Sequence, residues 1–338
     1  MTAEVLRIET TDQFAEAVRR AAELLRAGQL VALPTETVYG LAANAWDEVA
    51  VRRIYEAKGR PAENPIIVHV ASLELARRCV KSWPSAAERL ASRFWPGPLT
   101  LVLSRSQEIP LLVTAGGNTV GVRWPNHPFV QAVIRVCGFP LAAPSANCST
   151  ELSPTTAEHV RKSLGTRIPL IIDGGPAQVG IESSVLDLVS MPPQVLRPGV
   201  ISVESIQAVL GTGEVEITGA PAAIARSPGQ GLRHYAPRAR LAVLRWRDEA
   251  DLAAQVSAFG PALEKIHLVT HGLVSSRLKF GRVAIIPPDA EAWARALYAE
   301  LHRCDDLGAE LILVEAPPAG EQWRGIADRL RRAAHISS

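Results

Sequence analysis

Lys58, Arg60, Arg123 and Arg197, together with Thr35, Thr37, Ser145 and Ser183, are the side chains best suited to holding anions in this sequence. Ammonium, guanidinium and hydroxyl groups can neutralise and orient phosphates or a carboxylate without a protein nucleophile. A charge-assisted hydrogen bond contributes roughly 1.5–3 kcal/mol, so three or four would support about 8 kcal/mol, micromolar nucleotide binding, after ordering costs. Singly, each has an ordinary explanation. Lys58 and Arg60 can complement a helix dipole, Arg123 and Arg197 can sit in salt bridges, and hydroxyls beside prolines cap turns. A histidine inside an apolar strand, such as His69, is usually part of a core. What argues for a site is that the cations come from separate segments, each ending a buried element near small hydroxyls.

Other chemistries lack their residues. There is no GxxxxGK[ST] and no GxGxxG after a strand, which removes the P-loop and dinucleotide fingerprints. HExxH and GxSxG are absent too, which argues against a zincin or a serine hydrolase. Asp173 and Glu182, two carboxylates on loops, are too little to name a metal site.

The elements that must position these groups are legible from apolar runs and their punctuation. Residues 30–33 form a short apolar run stopped by Pro34, so the polar Thr35, Glu36 and Thr37 sit just past a strand's carboxyl end. Ligands lodge at that edge of open α/β sheets. Val49, Ile54 and Ala57 recur at helical spacing and deliver Lys58 and Arg60, and a second buried strand over 66–70 carries His69. Strands are predicted at 99–103, 119–124, which carries Arg123, 141–143 and 170–172, with a further strand after Glu182, Ser183 and Ser184. The run 141–143 repeats the earlier design, being followed by Pro144, Ser145, Ala146 and Asn147. Helices are predicted over 10–25, 73–80, 86–94 and 128–136, and one to Leu164 opened by a Thr155/Glu158 capping box. Ser202 can cap one more.

Length and composition bound the rest. A chain of 338 residues is long for one core, and 47% hydrophobic with 21% charged residues describes an ordinary globular protein. The reading is α/β, in three parts: a first domain over 1–210, a glycine- and proline-rich linker over 211–240, and a C-terminal domain over 241–338. In the last part apolar runs at 241–244, 266–269, 283–286 and 311–314 alternate with helical stretches at 249–259, 290–301 and 322–334, which predicts a small parallel sheet. A net charge of +2 gives no global case for a nucleic-acid or membrane-surface protein, so an anion site must be local. Four widely spaced cysteines fit a reduced, cytoplasmic setting, and no run approaches a membrane span.

PTETVYGL, the KGR with NPIIVHV, TVGVR, APSAN, ESSV, LRPG and HYAP occur in that order. With them the chain resembles the YrdC-type family of threonylcarbamoyl-adenylate synthases, in its long, two-domain form. The resemblance implies a twisted, mostly open sheet with a concave basic face and a smaller Rossmann-like C-terminal domain. It implies condensation of L-threonine, bicarbonate and ATP into L-threonylcarbamoyl-AMP and pyrophosphate, with magnesium carried on the ATP. A downstream tRNA threonylcarbamoyl transferase complex would use the product at adenosine 37 of tRNA. By the same resemblance Lys58, Arg60, Ser145 and Asn147 are the catalytic set at the nucleotide and carbonate end. Arg60, Asn64, Thr119, Ser145, Ser153, Arg197 and Tyr235 match ATP contacts; Thr37, His69, Arg123, Ala143 and Ser183 match threonine contacts. Thr35 is a lesser candidate. An RNA-binding module of this fold without catalysis, and an enzyme using another amino acid, stay open as alternatives.

Overall fold

The computed structural model describes residues 2–211, 216–217, 235–274, 278–334 and 336–337. Most of the predicted linker, including residues 227–234 of its cationic centre, lies outside them. The chain divides into two compact units: Met1–Ser149 with Ser153–Gly231, and Thr150–Leu152 with Leu232–Ser338.

The first unit holds strands β1 (Glu4–Arg7), β2 (Val31–Leu33), β3 (Gly40–Asn44), β4 (Val68–His69), β5 (Leu99–Ser104) and β6 (Thr119–Arg123). It continues with β7 (Leu141–Ala142), β8 (Leu170–Asp173), β9 (Ser184–Asp187), β10 (Gln194–Arg197) and β11 (Glu216–Ile217). These make one mixed, twisted sheet in the order β1-β8-β2-β3-β7-β4-β6-β5-β9-β10-β11. Its helices are α1 (Thr11–Arg26), α2 (Glu48–Lys58), α3 (Leu73–Cys79), α4 (Ser85–Phe94), α5 (Pro128–Cys137), α6 (Ala157–Leu164) and α7 (Val203–Leu210).

Strand alternation sorts side chains between faces. Val31, Leu33 and Ala42 pack with α1 and α5. Ala32, Leu41, Ala43, Val68, Leu99, Leu101, Val120 and Val122 join the larger core with α2, α4 and α7. The remaining face of the central strands carries a small cluster of strand residues alone, Ile67, Val102, Val185 and Leu196. By the same alternation His69, Thr100, Gly121 and Arg123 belong to this face. A Cβ at Gly121 would come within 3.2 Å of the Thr100 methyl and 3.5 Å of Ile67, so glycine keeps this stretch of the surface hollow.

Local signals set several boundaries. Thr10 and Gln13 form the capping box of α1, and Asp47 caps α2, which stops at Gly59 in the left-handed region. The cap of α6 is Thr156, whose hydroxyl accepts from His159 N. Thr155 was the expected cap; its hydroxyl instead lies 3.3 Å from His159 Nδ1.

The second unit is a parallel sheet of β12 (Arg240–Leu244), β13 (Ile266–Thr270), β14 (Arg282–Ile285), β15 (Leu311–Glu315) and β16 (Ile336–Ser337), in the order β14-β13-β15-β12-β16. Helices α8 (Glu249–Ser257), α9 (Ala290–Asp306) and α10 (Arg324–Ala333) accompany it. At the adjacent carboxyl ends of β13 and β15, Glu315 accepts from the Thr270 hydroxyl, from His271 N at 2.9 Å and from Gly272 N at 3.3 Å. Just before β12, Arg238 N and Ala239 N donate to the Asp305 carboxylate of α9 at 2.9 and 3.0 Å. Residues 150–152 belong here as well, through a β-bridge from Glu151 to Ala236.

Candidate active site of the first unit

The loop after β2 brings Thr37 to Arg123 on the remaining face and ties itself together through Thr35. The Thr35 hydroxyl donates to Val38 O at 2.6 Å, accepts from Thr37 N and Val38 N, and lies 2.9 Å from the Thr37 hydroxyl. Thr35 thus has a turn-forming role, and Thr37 is the hydroxyl presented to the sheet. Arg123 reaches it from the end of β6: Nη1 donates to Thr37 Oγ1 at 2.9 Å and Nε to Gly97 O at 3.3 Å. His69 stands beside Arg123 in parallel register. Burial, helped by the Arg123 charge, pushes the His69 pKa well below the ordinary histidine value, so the ring is neutral near pH 7.

Further along the same face, the Ser183 hydroxyl lies 2.8 Å from Thr100 Oγ1 and accepts from Arg197 Nη2 at 3.1 Å, while Arg197 Nε donates to Ser183 O at 3.0 Å. A β-bulge between Val195 and Arg197 breaks the strand alternation, which lets Arg197 reach Ser183 although Leu196 already occupies the same face. Gly199 is needed for this approach, because a Cβ there would sit 2.4 Å from Ser184 N. Thr37, His69, Arg123, Thr100, Ser183 and Arg197 are each under 5% exposed and form a buried polar band across β4, β6, β5, β9 and β10.

Lys58 and Arg60 leave α2 differently from the solvated helix end that their sequence position allows. Lys58 is 2% exposed, and its ammonium donates to Ser145 O at 2.5 Å and to Asn147 O. The lysine therefore fastens the APSAN loop to α2. That loop is also bound to the Thr35–Thr37 turn's outgoing strand by Leu41 N to Pro144 O at 2.8 Å and Ala146 N to Tyr39 O at 2.8 Å. Arg60 folds back on its own loop, donating to Asn64 O at 3.0 Å and Pro65 O at 2.7 Å. Asn64 thus contributes its backbone carbonyl to that loop. Ala143 N donates to Ile67 O at 3.1 Å, which seats Ala143 beside β4.

Ser153 is buried and donates to Glu182. Thr119 opens β6 and lines a shallow hollow with Pro65, Ile67, Thr100, Gly121 and Val185. Tyr235 belongs to the second unit. It is buried there with φ +64°, its ring 5.9 Å from Tyr298 and 5.6 Å from the Arg329 guanidinium carbon.

Sequence reasoning gave no role to Thr100, Tyr39 or Glu36. Thr100 interrupts LTLVL, and a hydroxyl inside an otherwise apolar strand is a readable signal. The Tyr39 hydroxyl donates to Gly175 O at 2.6 Å and accepts from Gly174 N at 3.2 Å, fixing the loop after β8. Glu36 is 4% exposed, with Oε1 2.7 Å from Arg123 Nη2. That contact is an ion pair without hydrogen-bond alignment: neither Glu36 oxygen, nor Arg123 Nη2, makes a hydrogen bond. Only its charge, between two threonines, was visible in the sequence. Among the described residues no cluster of three or more His, Cys, Asp or Glu side chains could hold a metal.

The family model described as "Telomere recombination", for Sua5, YciO and YrdC, matches residues 23–199. A model for the C-terminal domain of threonylcarbamoyl-AMP synthase matches residues 201–335. The chain is 42% identical over 322 residues to a threonylcarbamoyl-AMP synthase of Pyrococcus abyssi, covering 94% of each chain. It is 40% identical over 339 residues to that of Bacillus subtilis, covering 97% of this chain and 96% of the other. A crystal structure of P. abyssi Sua5 complexed with L-threonine superposes with a TM-score of 0.90 at 39% identity and complete coverage of both chains. Two matched models that together span the ordered motifs, and likeness along the full length, lead to one conclusion: this chain belongs to the Sua5/YciO/YrdC family.

Proposed function

We propose that the protein is an L-threonylcarbamoyladenylate synthase, a nucleotidyltransferase that condenses L-threonine, bicarbonate and ATP. The observation that carries this reading is the buried polar band on the remaining face of the central strands, where Arg123, Thr37, His69 and Ser183 converge beside the Lys58-anchored APSAN loop. Arg123 suits the threonine carboxylate because a guanidinium fork can bind both oxygens. Thr37, neutral His69, Ala143 and Ser183 surround it. Arg60, Asn64, Thr119, Ser145, Ser153 and Arg197 serve the nucleotide.

The chemistry needs no protein nucleophile. Threonine's amine bonds to the carbon of bicarbonate as a C–O bond breaks and water leaves, and the carbamate oxygen then attacks the α-phosphorus while pyrophosphate leaves. The protein's contribution is positioning and neutralisation of charge, the terms that dominate phosphoryl-type transfer. Arg60 supplies charge, and Lys58 both supplies charge and holds Ser145 and Asn147 in place. Magnesium enters with the triphosphate as part of the substrate. In this reading the protein works in the cytoplasm, and its product passes to a tRNA threonylcarbamoyl transferase complex.

The test is pyrophosphate release by the purified protein with threonine, bicarbonate and ATP omitted in turn. All three should be required. Salt-sensitive RNA binding without pyrophosphate release would favour a binding module instead, and equal turnover with valine would rule out a site built around the threonine hydroxyl.

A further inference from the structure

Glu36 and Arg123 form a buried pair that is charged but incompletely hydrogen-bonded. Their closest atoms are 2.7 Å apart, their side chains are each 4% exposed, and both Glu36 oxygens and Arg123 Nη2 lack hydrogen-bond partners. Arg123 also donates through Nη1 to Thr37 and through Nε to Gly97, which leaves a second N–H on Nη1 beside those of Nη2. Buried polar groups are costly when unsatisfied, so a pair left this way marks a place where a ligand completes the bonding. The unspent groups are acceptors on one side and an N–H donor on the other, next to each other. An α-amino acid presents the reverse arrangement on one carbon, a carboxylate beside an ammonium.

We propose that Glu36 is the residue that receives the α-ammonium of the amino-acid substrate, while Arg123 takes its carboxylate. This rests on the threonine-binding reading of the site given above. Glu36 is then both a specificity determinant for amino acids over hydroxy acids and the first acceptor of the amine's proton. In that step one ammonium N–H bond breaks, its proton moves to a Glu36 carboxylate oxygen, and the nitrogen regains its lone pair. The neutral amine forms the N–C bond with bicarbonate, whose hydroxyl leaves with the amine's second proton as water. The products are the N-carboxylate and protonated Glu36, which returns its proton to solvent after the product has left.

The experiment compares binding of L-threonine with its 2-hydroxy analogue, in which a hydroxyl replaces the ammonium, by calorimetry on the full chain. The unmodified protein should prefer threonine by about 10- to 100-fold, the range expected for a hydrogen bond to a charged group. Glu36→Gln should bring the two affinities within about threefold, because an amide cannot pair with an ammonium as a carboxylate does. Equal binding of the two ligands by the unmodified protein overturns the proposal, and that comparison needs no variant to fold. A Glu36→Gln protein that weakens both ligands alike also overturns it, since Glu36 would then only be propping Arg123. Absence of any threonine binding by the unmodified protein sinks the functional reading itself, a different result from loss of the preference.

Discussion

Glu36 in the first unit and Glu315 in the second are both largely shielded carboxylates beside strand ends, but they are used in opposite ways. Glu315 accepts from the Thr270 hydroxyl and two successive backbone amides, closing the loop after β13. The Glu36 carboxylate accepts no hydrogen bond and touches a guanidinium nitrogen that is itself left short of one. A carboxylate that takes three hydrogen bonds from its own chain on one oxygen holds that chain together, whereas one whose oxygens take none in a buried place is fitted to something outside the chain. Charge and burial alone would have ranked the two alike. The hydrogen-bond inventory separates them.

The sharpest way to break this contrast is to remove Arg123. Arg123→Met leaves Glu36 buried without its counter-charge, so the unfolding free energy should fall by about 3–5 kcal/mol, as for other buried pairs that lose one partner. Denaturant titration would measure it. Adding Glu36→Gln in the same protein should recover most of that stability while threonine binding stays lost; no recovery would mean the pair is not the source of the cost. Next in size is Glu315→Ala, which strands two amides and should lower stability by about 2–3 kcal/mol with threonine affinity unchanged. A loss of affinity there would erase the distinction between the two carboxylates.

Smaller effects sharpen it. Ser183→Ala removes a partner from both Thr100 and Arg197 and should lower the unfolding free energy by about 1–2 kcal/mol, measured by the same denaturant titration. Finally, the His69 pKa is lowered by burial and then by Arg123, so between the unfolded and folded values the unfolded state binds the extra proton. The stability this histidine contributes is therefore intact above about pH 6.5 and is lost as pH falls below it, by up to about 1.4 kcal/mol per pH unit. His69→Gln should flatten that part of the stability–pH curve. Some acid sensitivity should remain from His127, whose pKa burial also lowers, against the opposing pull of Glu36.

Much of the framework was readable because strong local signals mark it. The runs before Pro34 and Pro144, the caps at Thr10 and Ser202, and the four alternating strand segments of the second unit stand where punctuation and periodicity put them. β3 was not read, since Gly40–Asn44 is GLAAN, with no β-branched residue and no alternation. The cap of α6 was read one residue early because adjacent threonines offer the same chemistry, and only backbone geometry chooses between them. The site was legible as a set of loop-borne cations and hydroxyls. What could not be read was which of them are already committed: that Thr35 closes its own turn, that Lys58 holds carbonyls, and that a bulge turns Arg197 back onto Ser183. These depend on contacts between segments far apart in sequence.

The second unit is not one continuous length of polypeptide. Thr150–Leu152 is borrowed from the middle of the first unit's sequence, and its bridge to Ala236 is flanked by Thr150 and Tyr235, two of the few non-glycine residues with positive φ, at 73° and 64°. A fragment beginning at residue 232 would therefore lack the partner of that bridge, and a dissection that keeps each unit's own residues together has to carry Thr150–Leu152 with the second.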